Sequence, residues 1–112
     1  NDFYNPALKR SKVNAFLADP AHRDSYRLVE GDIRDAHALD EAFSGGPFDV
    51  VIHLAAMAGV RPSLESPAYY FDVNVNGTQR LVDRIVPNAD RTRLVFASSS
   101  SVYGERGGEA FK

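Results

Sequence analysis

Leu94-Val95-Phe96-Ala97-Ser98-Ser99-Ser100-Ser101-Val102-Tyr103-Gly104 decides the fold, because an apolar strand runs there directly into a cluster of hydroxyls. Residues 94–96 read as a buried strand, which puts the serines at its carboxyl end. In open α/β sheets ligands bind at that edge. A second strand, Asp49-Val50-Val51-Ile52-His53-Leu54, runs into Ala55-Ala56-Met57-Ala58-Gly59. Two strand ends thus converge with small residues beside hydroxyls. Small side chains let a flat ligand approach the backbone, and a serine can polarise a carbonyl or hydroxyl upon it. The pairing implies a nucleotide-binding edge.

Working outward, the segments between these strands read as helices. Asn5 can cap a helix with Pro6 at its first position, carrying Leu8, Val13, Phe16 and Leu17 up to Asp19-Pro20. Residues 26–30 alternate like a short strand and stop at Gly31. Asp35 can cap a helix over 36–43, broken by Ser44-Gly45-Gly46-Pro47. A loop with Gly59, Pro62 and Pro67 follows strand 49–54. The longest helix runs from about 68 to 86, where Ala68, Phe71, Val75, Thr78, Val82 and Ile85 make one apolar face. Tyr70, Val73, Gly77 and Leu81 make a second, weaker stripe, which can pack on the chain's own sheet or on a partner. Pro87 closes the helix, and 93–97 is the last strand. Helices alternating with strands imply an α/β fold with a parallel sheet and right-handed crossovers. The pattern is Rossmann-type but opens on a helix, and no G-x-G-x-x-G or G-x-x-G-x-x-G occurs.

Composition narrows the classes. The 112 residues suffice for one small domain, and 13 basic against 15 acidic side chains give a net charge of −2. No basic stripe with interleaved aromatics points to nucleic acid. There is no cysteine, and His22, His37 and His53 lack ligand-like spacing, so no metal is expected. No apolar run approaches the roughly 18 residues that span a bilayer. Asn1-Asp2-Phe3-Tyr4 does not open a signal peptide, so a cytoplasmic location is expected.

Six motifs stand in order along the chain: Asn1-Asp2-Phe3-Tyr4, Gly31-Asp32-Ile33-Arg34-Asp35, His53-Leu54-Ala55-Ala56, Gly59-Val60-Arg61-Pro62-Ser63-Leu64, Asn74-Val75-Asn76-Gly77-Thr78 and Ser98–Gly104. In these the chain resembles the extended short-chain dehydrogenase/reductases, specifically the NAD-dependent nucleotide-sugar epimerase/dehydratase family, and within it the UDP-glucuronate 4-epimerase group. The resemblance implies NAD as cofactor and a UDP-sugar, UDP-glucuronate in the first instance, as substrate. It implies that Asp32 and Ile33 flank the adenine, and that Leu54, Ala55 and Ala56 line the pyrophosphate and nicotinamide-ribose side. Ala58 falls where some relatives carry a cofactor-contacting lysine. Val73 and Asn74 lie near the cofactor, Asn74 being the polar candidate unless it ties down a loop.

Ser99 best matches the catalytic serine or threonine of the family, which hydrogen-bonds the hydroxyl being oxidised. Ser98 goes with the cofactor side, while Ser100, Ser101 and Tyr103 go with the substrate. A one-residue slip along a strand would exchange the serines' directions, and all four can instead bond local backbone. Arg61 is the candidate for the sugar carboxylate, since its planar fork can bind one through two bonds. His53, on an apolar strand, reads as a core histidine.

The family's glycine-rich loop and its Y-x-x-x-K pair do not occur in these 112 residues. The chain is therefore read as a partial NAD-binding Rossmann domain over 1–112, lacking the first two strands and the C-terminal substrate domain, and inactive by itself. In the 3-2-1-4-5-6 strand order, 26–30 and 49–54 would not touch. Two alternatives stay open: a dehydratase or decarboxylase of the same family, or a non-catalytic dinucleotide-binding or assembly module. The family also implies a homodimer through helix 68–86, to which Tyr70, Val73, Gly77 and Leu81 are assigned.

Overall fold

The computed structural model describes residues 5–104; the Asn1–Tyr4 motif lies outside the described residues. Asn5 caps α1 (Pro6–Ala18), its Oδ1 accepting from the Ala7 amide at 2.9 Å, yet the helix buries none of its residues. Asp19 repeats the device for the single turn α2 (Pro20–Arg23), accepting from Ala21 at 2.9 Å. Phe16 stacks on His22 at 4.2 Å and meets Tyr26 edge-on at 5.0 Å, so aromatic contacts rather than a core hold this corner.

Residues 26–30, expected as a strand, form none. An extended segment is fixed by backbone neighbours, and the described sheet has two strands, neither of them beside this segment. Arg27 ties it instead to the end of α3 (Ala36–Phe43), donating to the Glu41 carbonyl at 2.7 Å and to Ser44 Oγ at 3.2 Å. The helix itself lies where its cap predicts, Asp35 accepting from the His37 amide at 2.9 Å.

β1 (Val50–His53) and β2 (Arg93–Phe96) pair in parallel, from Val50 opposite Arg93 to His53 opposite Phe96. Parallel neighbours require a crossover, and helices supply it. The segment expected as a loop contains a further helix, α4 (Val60–Glu65), entered through Gly59 at φ 104°, a conformation that favours glycine. A long helix follows: α5 (Pro67–Phe71), a π-helical turn (Asp72–Gly77) and α6 (Thr78–Ile85). Beyond β2, Ser100–Tyr103 wind into a 3-10 turn rather than extending the strand.

The core is Leu39 from α3 with Leu81 and Ile85 from α6, joined by Phe43 and Val51. On the long helix the weaker stripe is the buried one: Tyr70, Val73, Gly77 and Leu81 all face inward. Their assignment to a partner surface is thereby corrected. Phe71 and Val75, from the stripe expected to be buried, are exposed. The exchange is set on α5, ahead of the π turn, where Tyr70 is buried and Phe71 exposed; beyond the turn, with its extra residue, Ile85 of the first stripe joins Leu81 on the inner face. The helix consequently presents different neighbours at its two ends. Tyr70 reaches the carbonyl of Ala58, whereas Leu81 and Ile85 enter the core.

Candidate functional site

A cleft of about 850 Å³ opens at the carboxyl ends of β1 and β2. It brings together seven residues singled out from sequence: Leu54, Ala55, Ala56, Ala58, Asn74, Ser98 and Ser99. Ala55, Ala56 and Gly59 leave the floor bare of bulky side chains, while Phe71, Val75 and Phe96 supply apolar walls. A flat heteroaromatic ring fits between such walls, with the serines as the polar corner.

The floor is held by the long helix. Asn74 Oδ1 accepts from the Met57 amide at 2.7 Å, and Asn74 Nδ2 donates to the Met57 carbonyl at 3.0 Å. Tyr70 donates its hydroxyl to the Ala58 carbonyl at 2.8 Å. One turn on, Thr78 Oγ1 donates to the Asn74 carbonyl at 2.7 Å and lies 2.8 Å from His53 Nε2. Since the single hydroxyl proton goes to Asn74, His53 is the donor in that pair and carries its proton on Nε2. Burial pushes the His53 imidazole below its usual range, which keeps the ring neutral. His53 is a structural member of the cleft wall.

Ser99 precedes the 3-10 turn, its Oγ accepting from the Ser101 amide at 3.2 Å. That bond uses one lone pair and leaves the O–H as a donor. The turn also ends the strand-like alternation among the serines. Ser98 and Ser99 line the cleft, but Ser100, Ser101 and Tyr103 do not, and neither does Arg61, which is exposed on α4.

Asp32 and Ile33 lie apart from the cleft. The Asp32 carboxylate is occupied by Arg34: Oδ1 accepts from its amide at 2.9 Å and from Nε at 3.0 Å, and Oδ2 from Nη2 at 2.7 Å. These bonds hold the Asp32 carboxyl down at about 2. Arg34 Nη1 continues to Asp72 Oδ2 at 3.1 Å, and its guanidinium lies over the Tyr69 ring at 5.0 Å. Hydrogen bonds from Asn76 and Arg34 likewise lower Asp72. Ile33 packs on the π turn, where a Cβ on Gly77 would come within 2.8 Å of its side chain. Asp32 and Ile33 are therefore coupled to the same helix that carries Asn74.

Sequence reasoning assigned Tyr70 to a helix stripe and Thr78 to an apolar face, and so missed both in the cleft. The signal was present in Tyr70, whose hydroxyl needs a partner once the ring is buried. Among the described residues no group of three or more His, Cys, Asp or Glu could hold a metal ion, and no helix is long and apolar enough to cross a membrane.

Comparison with known proteins places this geometry. The GDP-mannose 4,6 dehydratase family profile matches residues 4–112. UDP-glucuronate 4-epimerase 3 of Arabidopsis thaliana is 43% identical over 93% of this chain, which spans 23% of that protein. UDP-glucuronate 4-epimerase of Thermodesulfobacterium geofontis is 37% identical over 92% of the chain and 30% of its own length. Among solved structures, a dTDP-glucose 4,6-dehydratase double mutant from Streptomyces venezuelae, with NAD and DAU bound, superimposes with a TM-score of 0.74 at 33% identity. That match covers 91% of this chain and 30% of the dehydratase. UDP-glucose 4-epimerase from Brucella ovis, in complex with NAD, gives 0.61 at 42% identity, covering 69% and 23% respectively. The chain thus spans 23% to 30% of the length of these relatives, and its parallel sheet is part of a Rossmann-type domain.

Proposed function

We propose that this chain, which belongs to the family of NAD-dependent nucleotide-sugar epimerases and dehydratases, forms the nicotinamide and sugar side of an active site that epimerises a UDP-sugar at C4, with UDP-glucuronate as substrate. The cleft carries the reading, because it gathers the alanines behind β1 and the serines behind β2 at one sheet edge. Its bare floor and apolar walls fit a nicotinamide ring. Bound NAD would supply the hydride acceptor and, later, the donor.

The chain's own residues would position the sugar. Ser99 has its O–H left to donate to the C4 oxygen and a lone pair left to accept from it. Arg61, Ser100, Ser101 and Tyr103 would meet the substrate at the rim, with Arg61 on the glucuronate carboxylate. Leu54, Ala55, Ala56, Ala58 and Ser98 would face the cofactor, and Asp32 with Ile33 its adenine. The glycine-rich loop and tyrosine–lysine pair of the family are not among the 112 residues, so these residues alone would be inactive. A homodimer through the exposed side of helix 68–86 and a cytoplasmic location complete the proposal.

The likeness to a dTDP-glucose 4,6-dehydratase over 91% of the chain favours a second reading, a dehydratase of the same family. The whole polypeptide, given NAD and UDP-glucuronate, is expected to form UDP-galacturonate. A 4-keto-6-deoxy product from a nucleotide hexose would select the dehydratase instead, and neither product would exclude both. Ser99→Ala should lower kcat by about 10²- to 10⁴-fold.

A further inference from the structure

We infer that Asn74 is a positioning residue, setting the cleft floor through the backbone of Met57; the inference rests on the cofactor reading of the cleft. Met57 belongs to no helix or strand. Asn74 accepts from its amide at 2.7 Å and donates to its carbonyl at 3.0 Å, so one side chain closes both polar groups of that residue. Both heteroatoms of Asn74 are thereby engaged with the chain, each with one further bonding position, and the inferred influence on a bound ligand passes through Met57. Tyr70 adds a third bond at Ala58. Loop 54–58 therefore hangs from the helix by side chains, not from a backbone ladder.

The π turn makes this possible. In an α-helix the Asn74 carbonyl would pair with the Thr78 amide four residues on. Here the Thr78 amide donates to Val75, and the Thr78 hydroxyl takes the Asn74 carbonyl at 2.7 Å. His53 Nε2 then reaches the same hydroxyl at 2.8 Å, joining the turn to the end of β1. Asn74 is thus fixed from behind by the strand whose continuation it holds. Such a floor keeps its shape whether or not a ligand occupies the cleft, which cuts the ordering cost of binding.

Amide hydrogen exchange on the whole polypeptide tests this, with NAD titrated alongside. Asn74→Ala should speed exchange at Met57 by about tenfold or more, leaving Leu39 and Ile85 unchanged. It should weaken NAD binding by about tenfold. Asn74→Asp keeps the acceptor for the Met57 amide but sets a second oxygen against the Met57 carbonyl, so it should restore only part of the Met57 protection. Unchanged protection at Met57 with weakened NAD binding would mean that Asn74 touches the cofactor itself, and would overturn the inference. Faster exchange throughout the core would overturn it too, as a merely structural role. If even the wild type does not bind NAD, the cofactor reading falls, while exchange at Met57 still decides the role of Asn74. Should Asn74→Ala fail to fold, Thr78→Val should give a smaller rise at Met57 alone, and no rise there would refute the inference.

Discussion

Residues 5–30 and residues 49–104 are both rich in apolar side chains, yet only the second stretch builds an interior. α1 is capped, starts with proline and is fully formed, but it buries nothing, and the strand-like 26–30 beyond it stays irregular. In the second stretch the long helix buries Tyr70, Val73, Leu81 and Ile85, packing on Leu39 of α3 and Val51 of β1. Leu94–Phe96 of β2, expected as a buried strand, is exposed because nothing covers it among the described residues. A helix satisfies its own backbone, so a cap and a good sequence suffice to form it. A strand leaves its donors and acceptors to a neighbour, so 26–30 has the right residues and no structure.

The sharpest way to break this contrast is to truncate one leucine in each region. Leu81→Ala should cost about 3 kcal/mol, since it empties the centre of the core, whereas Leu8→Ala on α1 should stay within about 0.5 kcal/mol. Urea unfolding of the two variants checks it, and equal losses would erase the distinction. Next in size, Gly77→Ala should cost about 1–3 kcal/mol, because the added Cβ lands 2.8 Å from Ile33. The two helix caps separate the regions more finely. Asp35→Ala should lower global stability by about 1 kcal/mol, because α3 carries Leu39 into the core. Asn5→Ala should only fray α1, lowering helical circular dichroism without moving the unfolding midpoint.

The smallest effects are electrostatic. Asp32 has a folded value of about 2 against an ordinary 3.8, so its contribution is present above about pH 4 and is lost as pH falls toward 2. Arg34→Gln should flatten that limb of the stability curve, and salt should flatten it in the parent. His53, with its folded value below 6.5, acts in a separate window. As pH drops beneath 6.5 the unfolded chain takes up the proton first, so stability falls there, and His53→Gln should remove that slope.

The helices and the two paired strands were legible because their signals are local: Asn5-Pro6, Asp35 directly ahead of 36–43, and the β-branched core of 49–54. Cleft residues at the strand ends were legible for the same reason, the C-terminal edge of a parallel sheet being readable from strand direction alone. What escaped was long-range. Nothing near Asp32 in sequence says that Arg34 will carry it to Asp72, 40 positions away in the chain from Asp32, and no period marks the π turn. No element was expected past Ala97, yet Ser99 starts a 3-10 turn over Ser100–Tyr103 by accepting the Ser101 amide.

The π turn also decides where the long helix can lose a residue. A π turn holds one residue more than an α turn, so deleting Asn76 would close it into uniform α and leave Tyr70 and Leu81 nearly in their present phase. A deletion within α6, where no such surplus exists, would swing everything after it by about 100° and take Ile85 out of the core. The surplus residue sits between the Met57 clamp and the Leu81–Ile85 contacts, so length can vary there while both keep their partners. The long helix carries its slack in one place, beside the cleft.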